Sequence, residues 1–266
     1  MKIALIQMTV TDDKTRNMKT AKDWIEKASQ EKAQVVVLPE MFNCPYDNSY
    51  FEDFAEVEGG LTYRFLSEQA KEYNLLLVGG SVPEREGSNI YNTSYIFDKN
   101  GKLLAKHRKA HLFDIAIENG IRFMESDVLT PGDQATVFDT DFGRVGLCIC
   151  YDIRFPELAR RMTLDGARLI IVPGAFNMTT GPAHWELTAR ARALDNQVFY
   201  ALCSPARVEG ASYVAYGHSM VTNPWGMVVD SLDEGEGILI TEVDFDMVDS
   251  IREQLPLLKH RRMELY

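Results

Sequence analysis

Runs of β-branched and other apolar residues recur along this chain with amphipathic stretches between them, and that alternation restricts the fold more than any other feature. KIALIQM and QVVVLPE read as strands. Between them lies a helix in which Ala21, Trp24, Ile25 and Ala28 share one face at i, i+3, i+4, i+7 spacing. LTYRFLSEQAKEYN reads as a second helix and NLLLVGGSV as a third strand. RVGLCIC, ARLIIVPG and QVFYALCSPA continue the series, separated by helices at FPELARRMTLDG and AHWELTARARALDN. Strands alternating with helices bury their sheet under helical layers, so the pattern predicts an α/β fold rather than separate helical and sheet units.

Other segments qualify that reading. NIYNTSYIFDKNGKLLAKHRK contains Asn100-Gly101 as a hairpin turn between two strands, so the sheet cannot be wholly parallel. The 24-residue stretch from Ala110 to Asp133 reads as a loop, and loops that long in compact domains usually cover a site. After residue 205 come shorter strands, GHSMVTN, GMVVDS and EGILITEVDF, then a helix at DMVDSIREQLPLL ended by Pro256 and a basic tail, KHRRMELY. No low-complexity linker interrupts the chain, and a single domain over 1–266 is expected.

Composition narrows the partners. The 39 acidic residues against 28 basic ones leave a net charge of -11, a field that repels phosphate backbones and anionic membrane surfaces; neither nucleic acid nor membrane is expected as a partner. MKIALIQMTV imitates a signal peptide, but Gln7 interrupts the apolar run and no small-residue cleavage site follows. No stretch approaches the roughly 20 apolar residues needed to cross a bilayer. Cys44, Cys148, Cys150 and Cys203 have neither the density of a disulfide framework nor CxxC zinc spacing, which fits a reducing cytoplasm.

Three apolar runs end in a chemical group. RVGLCIC breaks at Cys150 into a helix-like segment with Pro156 in its first turn, VVVLPE closes on Glu40, and KLLAKHRK reaches Lys109. Strand ends in an α/β sheet display side chains while holding them fixed, and a thiol there can use the first amides of the next helix. A base, a cation and a thiol so placed suggest covalent acyl chemistry. Each residue alone also has a plainer reading: Glu40 as a solvated cap, Lys109 as part of a basic face, and Cys44, Cys148 and Cys203 as small buried hydrophobes. Glu125 in RFMES and Arg154 in YDIRF are individually no more specific.

Taken jointly, LPEMF, HRKAHLFD, IRFMESDVLTPGD, GLCICYDIRFPEL and VPGAFNMTTGPAHWELTARARALDNQ resemble the nitrilase, or carbon-nitrogen hydrolase, superfamily over nearly the whole length. The resemblance implies a four-layer αββα sandwich, usually paired into dimers. It also implies Cys150 as nucleophile, Glu40 as general base, Lys109 as cation for the tetrahedral intermediate and Glu125 as a supporting glutamate. PGAFNMTTGPAHWE with SPARVEGASYVAYGHSMVTNPWG is most similar to the omega-amidase branch. Enzymes of that branch hydrolyse the terminal amide of short 2-oxo dicarboxylic acid monoamides, 2-oxoglutaramate and 2-oxosuccinamate. Deaminated-glutathione amidases and N-carbamoyl amine or amino-acid hydrolases share the triad and stand as alternatives. A non-catalytic interaction protein on the same scaffold is the alternative from another class.

In the amidase reading the backbone N–H of Tyr151 joins Lys109 at the oxyanion, and no metal or organic cofactor is required. Arg154, about one helical turn past Cys150, either grips the substrate carboxylate or pairs with Asp152 or Glu157. Phe176 and Thr180 are expected beside it as an apolar wall and a hydroxyl. Tyr46 and Tyr50, just past Glu40, are lid or packing residues. A homodimer or higher homo-oligomer is expected, with the strands after residue 205 and the segment from Asp246 to Tyr266 contributing to association.

Overall fold

The computed structural model describes residues 1–118 and 121–265. In chain order the elements are β1 (Lys2–Gln7), α1 (Lys14–Gln30), β2 (Val35–Val37), α2 (Asn48–Phe54), α3 (Leu61–Glu72), β3 (Leu76–Val78), β4 (Val82–Glu86), β5 (Asn89–Phe97), β6 (Leu103–Arg108), β7 (Asp114–Ala116) and β8 (Arg122–Met124). They continue with β9 (Thr136–Thr140), β10 (Gly143–Leu147), α4 (Pro156–Leu164), β11 (Leu169–Pro173), α5 (Gly181–Asn196), β12 (Phe199–Cys203), β13 (Met220–Thr222), β14 (Val228–Ser231), β15 (Gly237–Glu242) and α6 (Phe245–Gln254).

One sheet has the order β15-β1-β2-β3-β5-β4 with β6 also paired to β5, and a second has the order β14-β13-β12-β11-β10-β9. Both are parallel at the centre, through β1-β2-β3 and β10-β11-β12, and antiparallel toward the edges. The β5-β6 hairpin accounts for part of the antiparallel pairing, and Gly101 takes the positive φ of 77° that its turn needs.

The strands read as continuous apolar runs because both faces of each sheet are covered. Ile3, Leu5, Val37 and Val78 face Leu147, Leu169, Ile171 and Ala201 of the other sheet. Alternate residues Ala4, Ile6 and Val36 turn outward against Ala21, Ile25 and Ala28 of α1 and Leu66 and Ala70 of α3. On the far side Ile170, Val172, Tyr200 and Leu202 pack on Met162 of α4 and on Trp185, Ala189 and Ala193 of α5. The layers are therefore helix, sheet, sheet, helix, the αββα sandwich implied by the resemblance.

Several elements depart from the sequence expectation. The stretch 110–133 is not a plain loop: β7 pairs with β8 and a 3-10 turn follows at Glu125–Asp127, while residues 119 and 120 lie outside the described residues. Strands of three residues carry no period to read, which also explains the missed α2, whose only buried residue is Phe51. The short strands β4 and β9 were likewise absent from the sequence reading. Cys150 does not open an α-helix; Cys150–Arg154 is a 3-10 turn and α4 begins only at Pro156. The apolar face of α6 is used inside the chain, where Val248 joins the core between the sheets and Ile251 is buried. Met263 and Leu265 of the tail are exposed, and Tyr266 lies outside the described residues. No described helix is long and apolar enough to cross a membrane.

Candidate active site

Glu40 follows β2, Lys109 follows β6 and Cys150 follows β10, and all three are buried. Lys109 Nζ donates to Glu40 Oε1 at 3.0 Å, to Glu125 Oε1 at 2.9 Å and to the Tyr46 hydroxyl at 3.1 Å. Glu40 Oε1 also accepts from Asn92 Nδ2 at 2.8 Å, and its Oε2 accepts from the Ala175 amide at 2.8 Å. Glu125 Oε1 accepts from the Tyr46 hydroxyl at 2.6 Å, and Oε2 accepts from the Phe113 amide at 2.6 Å. Every polar atom of the two carboxylates is thus held by a named donor, and the Cys150 thiol is close enough to Glu40 for each to shift the other's protonation.

This packing sets the protonation states. Burial, reinforced by the charge of Glu40, pushes the Cys150 thiol well above its ordinary value, so at neutral pH it is a thiol that needs a base. Burial also raises Glu40 above 4.5, against the pull of Lys109. Burial alone would lower Lys109, but Glu125 and Glu40 outweigh it and keep the ammonium protonated. The result is one cation between two carboxylates in a dry site, with the thiol on one of them.

Cys150 itself adopts a left-handed φ of 47°, a conformation that costs a non-glycine residue about 1–3 kcal/mol and persists only where neighbours enforce it. Gly174 makes room for it, since a Cβ there would lie 3.2 Å from Cys150 Cα. Asp152 holds the turn. Its Oδ2 accepts from the Ile149 amide at 3.0 Å and pairs with His107 Nε2 at 3.1 Å; its Oδ1 accepts from the His111 amide at 2.9 Å and pairs with His111 Nδ1 at 2.8 Å. Burial opposes ionisation of Asp152, yet the two histidines hold it well below the usual carboxylate range. Because His107 and His111 flank Lys109, one carboxylate on the nucleophile's turn fixes the lysine from both sides. Asp152→Ala is expected to destabilise the fold by about 3 kcal/mol, read by thermal unfolding, and to lower kcat at least tenfold. A wild-type melting temperature would refute that role.

The first ladder bond of the 3-10 turn runs from the Asp152 amide to the Ile149 carbonyl at 3.0 Å. The Tyr151 N–H precedes it and is left over by the turn, beside the sulfur. Arg154 is half-buried, with its guanidinium 4.5 Å from the centroid of the Phe176 ring and Nη1 donating to His184 Nδ1 at 3.1 Å. The alternative ion pair with Asp152 or Glu157 is not formed: Asp152 is occupied by the histidines, and no carboxylate pairs with Arg154 among the described residues. Burial lowers the Arg154 pKa.

The hydroxyls of two expected substrate contacts have partners within the protein. Thr180 Oγ1 donates to Asn177 Oδ1 at 3.2 Å, so its hydroxyl closes the turn before α5. The Tyr46 hydroxyl belongs to the Lys109–Glu125 network, and Tyr50 packs on Phe54 of α2. The cover over Tyr46 is supplied by Phe123 of β8 and by Tyr213, at 5.5 and 4.6 Å between ring centroids. A cavity of about 70 Å³ remains, lined by Glu40, Tyr46, Ala175 and Tyr213 among others. A larger hollow of about 580 Å³ lies at the opposite, N-terminal ends of β2 and β3 and contains none of these groups.

Sequence reasoning missed Asn92, His107, His111 and Tyr213. Asn92 did carry a signal, a polar residue in the middle of an otherwise buried strand. For the histidines there was none, since their partner lies across the gap between the two sheets.

The family model for carbon-nitrogen hydrolases matches residues 2–253. Among curated relatives, omega-amidase NIT2-A of Xenopus laevis is 51% identical over 265 residues, covering 100% of this chain and 96% of the relative. Omega-amidase NIT2 of Homo sapiens is 48% identical with the same coverage. Among solved structures, Nit3 of Saccharomyces cerevisiae, a member of branch 10 of the nitrilase superfamily, superposes with a TM-score of 0.91 at 44% identity, covering 99% of this chain and 97% of that one.

Proposed function

The chain belongs to the carbon-nitrogen hydrolase family, and on that premise we propose that it is an omega-amidase. It hydrolyses the terminal amide of short 2-oxo dicarboxylic acid monoamides, such as 2-oxoglutaramate and 2-oxosuccinamate, to the 2-oxo acid and ammonia. The observation that carries the substrate is Arg154: a half-buried guanidinium, seated on Phe176 and lacking a carboxylate among the described residues, suits the carboxylate at the far end of such a substrate.

In the reaction, Glu40 takes the Cys150 proton as the sulfur attacks the amide carbon. The Tyr151 N–H donates to the oxyanion, a well-aimed donor contributing on the order of 3 kcal/mol, and Lys109, whose three N–H groups are held by Glu40, Glu125 and Tyr46, stabilises it by its charge. Glu40 passes its proton to the departing nitrogen, and ammonia leaves a thioester on Cys150. Glu40 then deprotonates water, whose attack gives a second tetrahedral intermediate. Collapse expels the thiolate, which recovers the proton from Glu40. Glu125 and Tyr46 orient Lys109 throughout.

A base must be ionised to act, and Glu40 is raised above 4.5 by burial. The acid limb of kcat/KM is therefore expected above that value, with activity lost as pH falls through it; a profile flat down to pH 4.5 would remove Glu40 from the role. The substrate assignment is tested by ammonia release from 2-oxoglutaramate, deaminated glutathione and an N-carbamoyl amino acid. Preference for either of the last two would overturn it.

Association into a homodimer is part of the proposal. Leu187 of α5 is 65% exposed and Leu194 42%, and Trp225 and Met227 at the adjacent β13-β14 turn are 51% and 57% exposed, an apolar patch that a second copy would cover. Mass in solution tests it. The four buried free thiols fit the cytoplasm proposed as its compartment.

A further inference from the structure

One buried polar atom beside the site has no use in the mechanism above. Asn177, 4% exposed, follows Phe176 directly. Its Oδ1 accepts from the Thr179 and Thr180 amides at 3.0 Å each and from Thr180 Oγ1, while Nδ2 has no hydrogen-bond partner among the described residues. The Tyr213 phenol is near enough to Asn177 for the amide to offset part of the phenol's upward shift. The phenol donates its own proton to the Ala175 carbonyl and lies within electrostatic reach of Cys150, Glu40 and Arg154. Asn177 thus directly follows the ring on which the Arg154 guanidinium rests, in the same loop as the Ala175 amide that holds Glu40.

We propose that Asn177 determines specificity for the 2-oxo group, donating from Nδ2 to the 2-oxo oxygen while Arg154 takes the carboxylate on the adjacent carbon; this rests on the omega-amidase reading above. The two acceptors of a 2-oxo acid sit on neighbouring carbons, so a guanidinium and one further N–H donor match them together. A 2-amino acid amide presents an ammonium there instead. It offers only donors to Nδ2 and to a cation, and is repelled.

Asn177→Ser keeps an oxygen for the turn amides but withdraws the donor, and Asn177→Asp keeps Oδ1 while turning the donor into an acceptor. The readout is the ratio of kcat/KM values for 2-oxoglutaramate, glutaramate, which has no 2-substituent, and glutamine. Asn177→Ser is expected to lower the 2-oxoglutaramate to glutaramate ratio about tenfold, and Asn177→Asp to lower the 2-oxoglutaramate to glutamine ratio by at least as much. Ratios held at their wild-type values while all rates fall together would show that Asn177 only closes the turn, and would overturn the assignment. Should the serine variant fail to fold, the aspartate variant, which retains the turn acceptor, carries the test alone. A wild-type enzyme with no preference for 2-oxoglutaramate over glutaramate would overturn the parent function as well, an outcome visible before any variant is made.

Discussion

Cys150→Ala is expected to reduce ammonia release from 2-oxoglutaramate by a factor on the order of 10⁵ to 10⁶. Losing the nucleophile removes the acylation route altogether, leaving only binding and the oxyanion donors. The fold should survive. The substitution deletes one sulfur atom, the left-handed turn at φ 47° stays pinned by Asp152, and alanine pays about the same cost there as cysteine. The Glu40, Lys109 and Glu125 network does not pass through the sulfur and should remain assembled. Steady-state ammonia release together with a thermal melt separates these outcomes. A variant that melts like wild type and still turns over at a comparable rate would eliminate the thioester mechanism.

Lys109→Met has a different signature because it strikes stability and rate together. Removing the ammonium leaves two fully buried carboxylates with no cation between them, and breaking a buried ion network of this kind costs about 3–5 kcal/mol. The rate falls by on the order of 10³ as well, since the oxyanion loses the positive charge beside it. Adding Glu125→Gln should recover part of the stability by removing one of the stranded charges, yet it cannot return the rate. That split, in denaturant unfolding against kcat, identifies a lysine serving both roles. A Lys109→Met protein as stable as wild type would mean that the carboxylates are not ionised around it.

The strand runs and the amphipathic spacing of Ala21, Trp24, Ile25 and Ala28 were legible in the sequence because periodicity is local and survives translation along the chain. The short β7 and β8, and α2 with its single buried residue, were not, since their existence depends on what they pack against. The site divides in the same way. Cys150, Glu40 and Lys109 could be picked out as chemical groups ending apolar runs, and the family resemblance assigned them work. What the Thr180 and Tyr46 hydroxyls hold was not legible, because their partners come from the fold, Asn177 in one case and Glu125 in the other.

By itself, then, the sequence determined the layered α/β class and the presence of a thiol, a carboxylate and an ammonium at strand ends. Tertiary structure alone decided that Lys109 meets a glutamate 69 residues away, that Asp152 ties the nucleophile's turn to the histidines flanking that lysine, and that Arg154 is left without a carboxylate among the described residues. The physical reason is that backbone pattern is set by near neighbours, whereas protonation and hydrogen-bond pairing are set by burial between two sheets whose contacting residues are far apart in the chain.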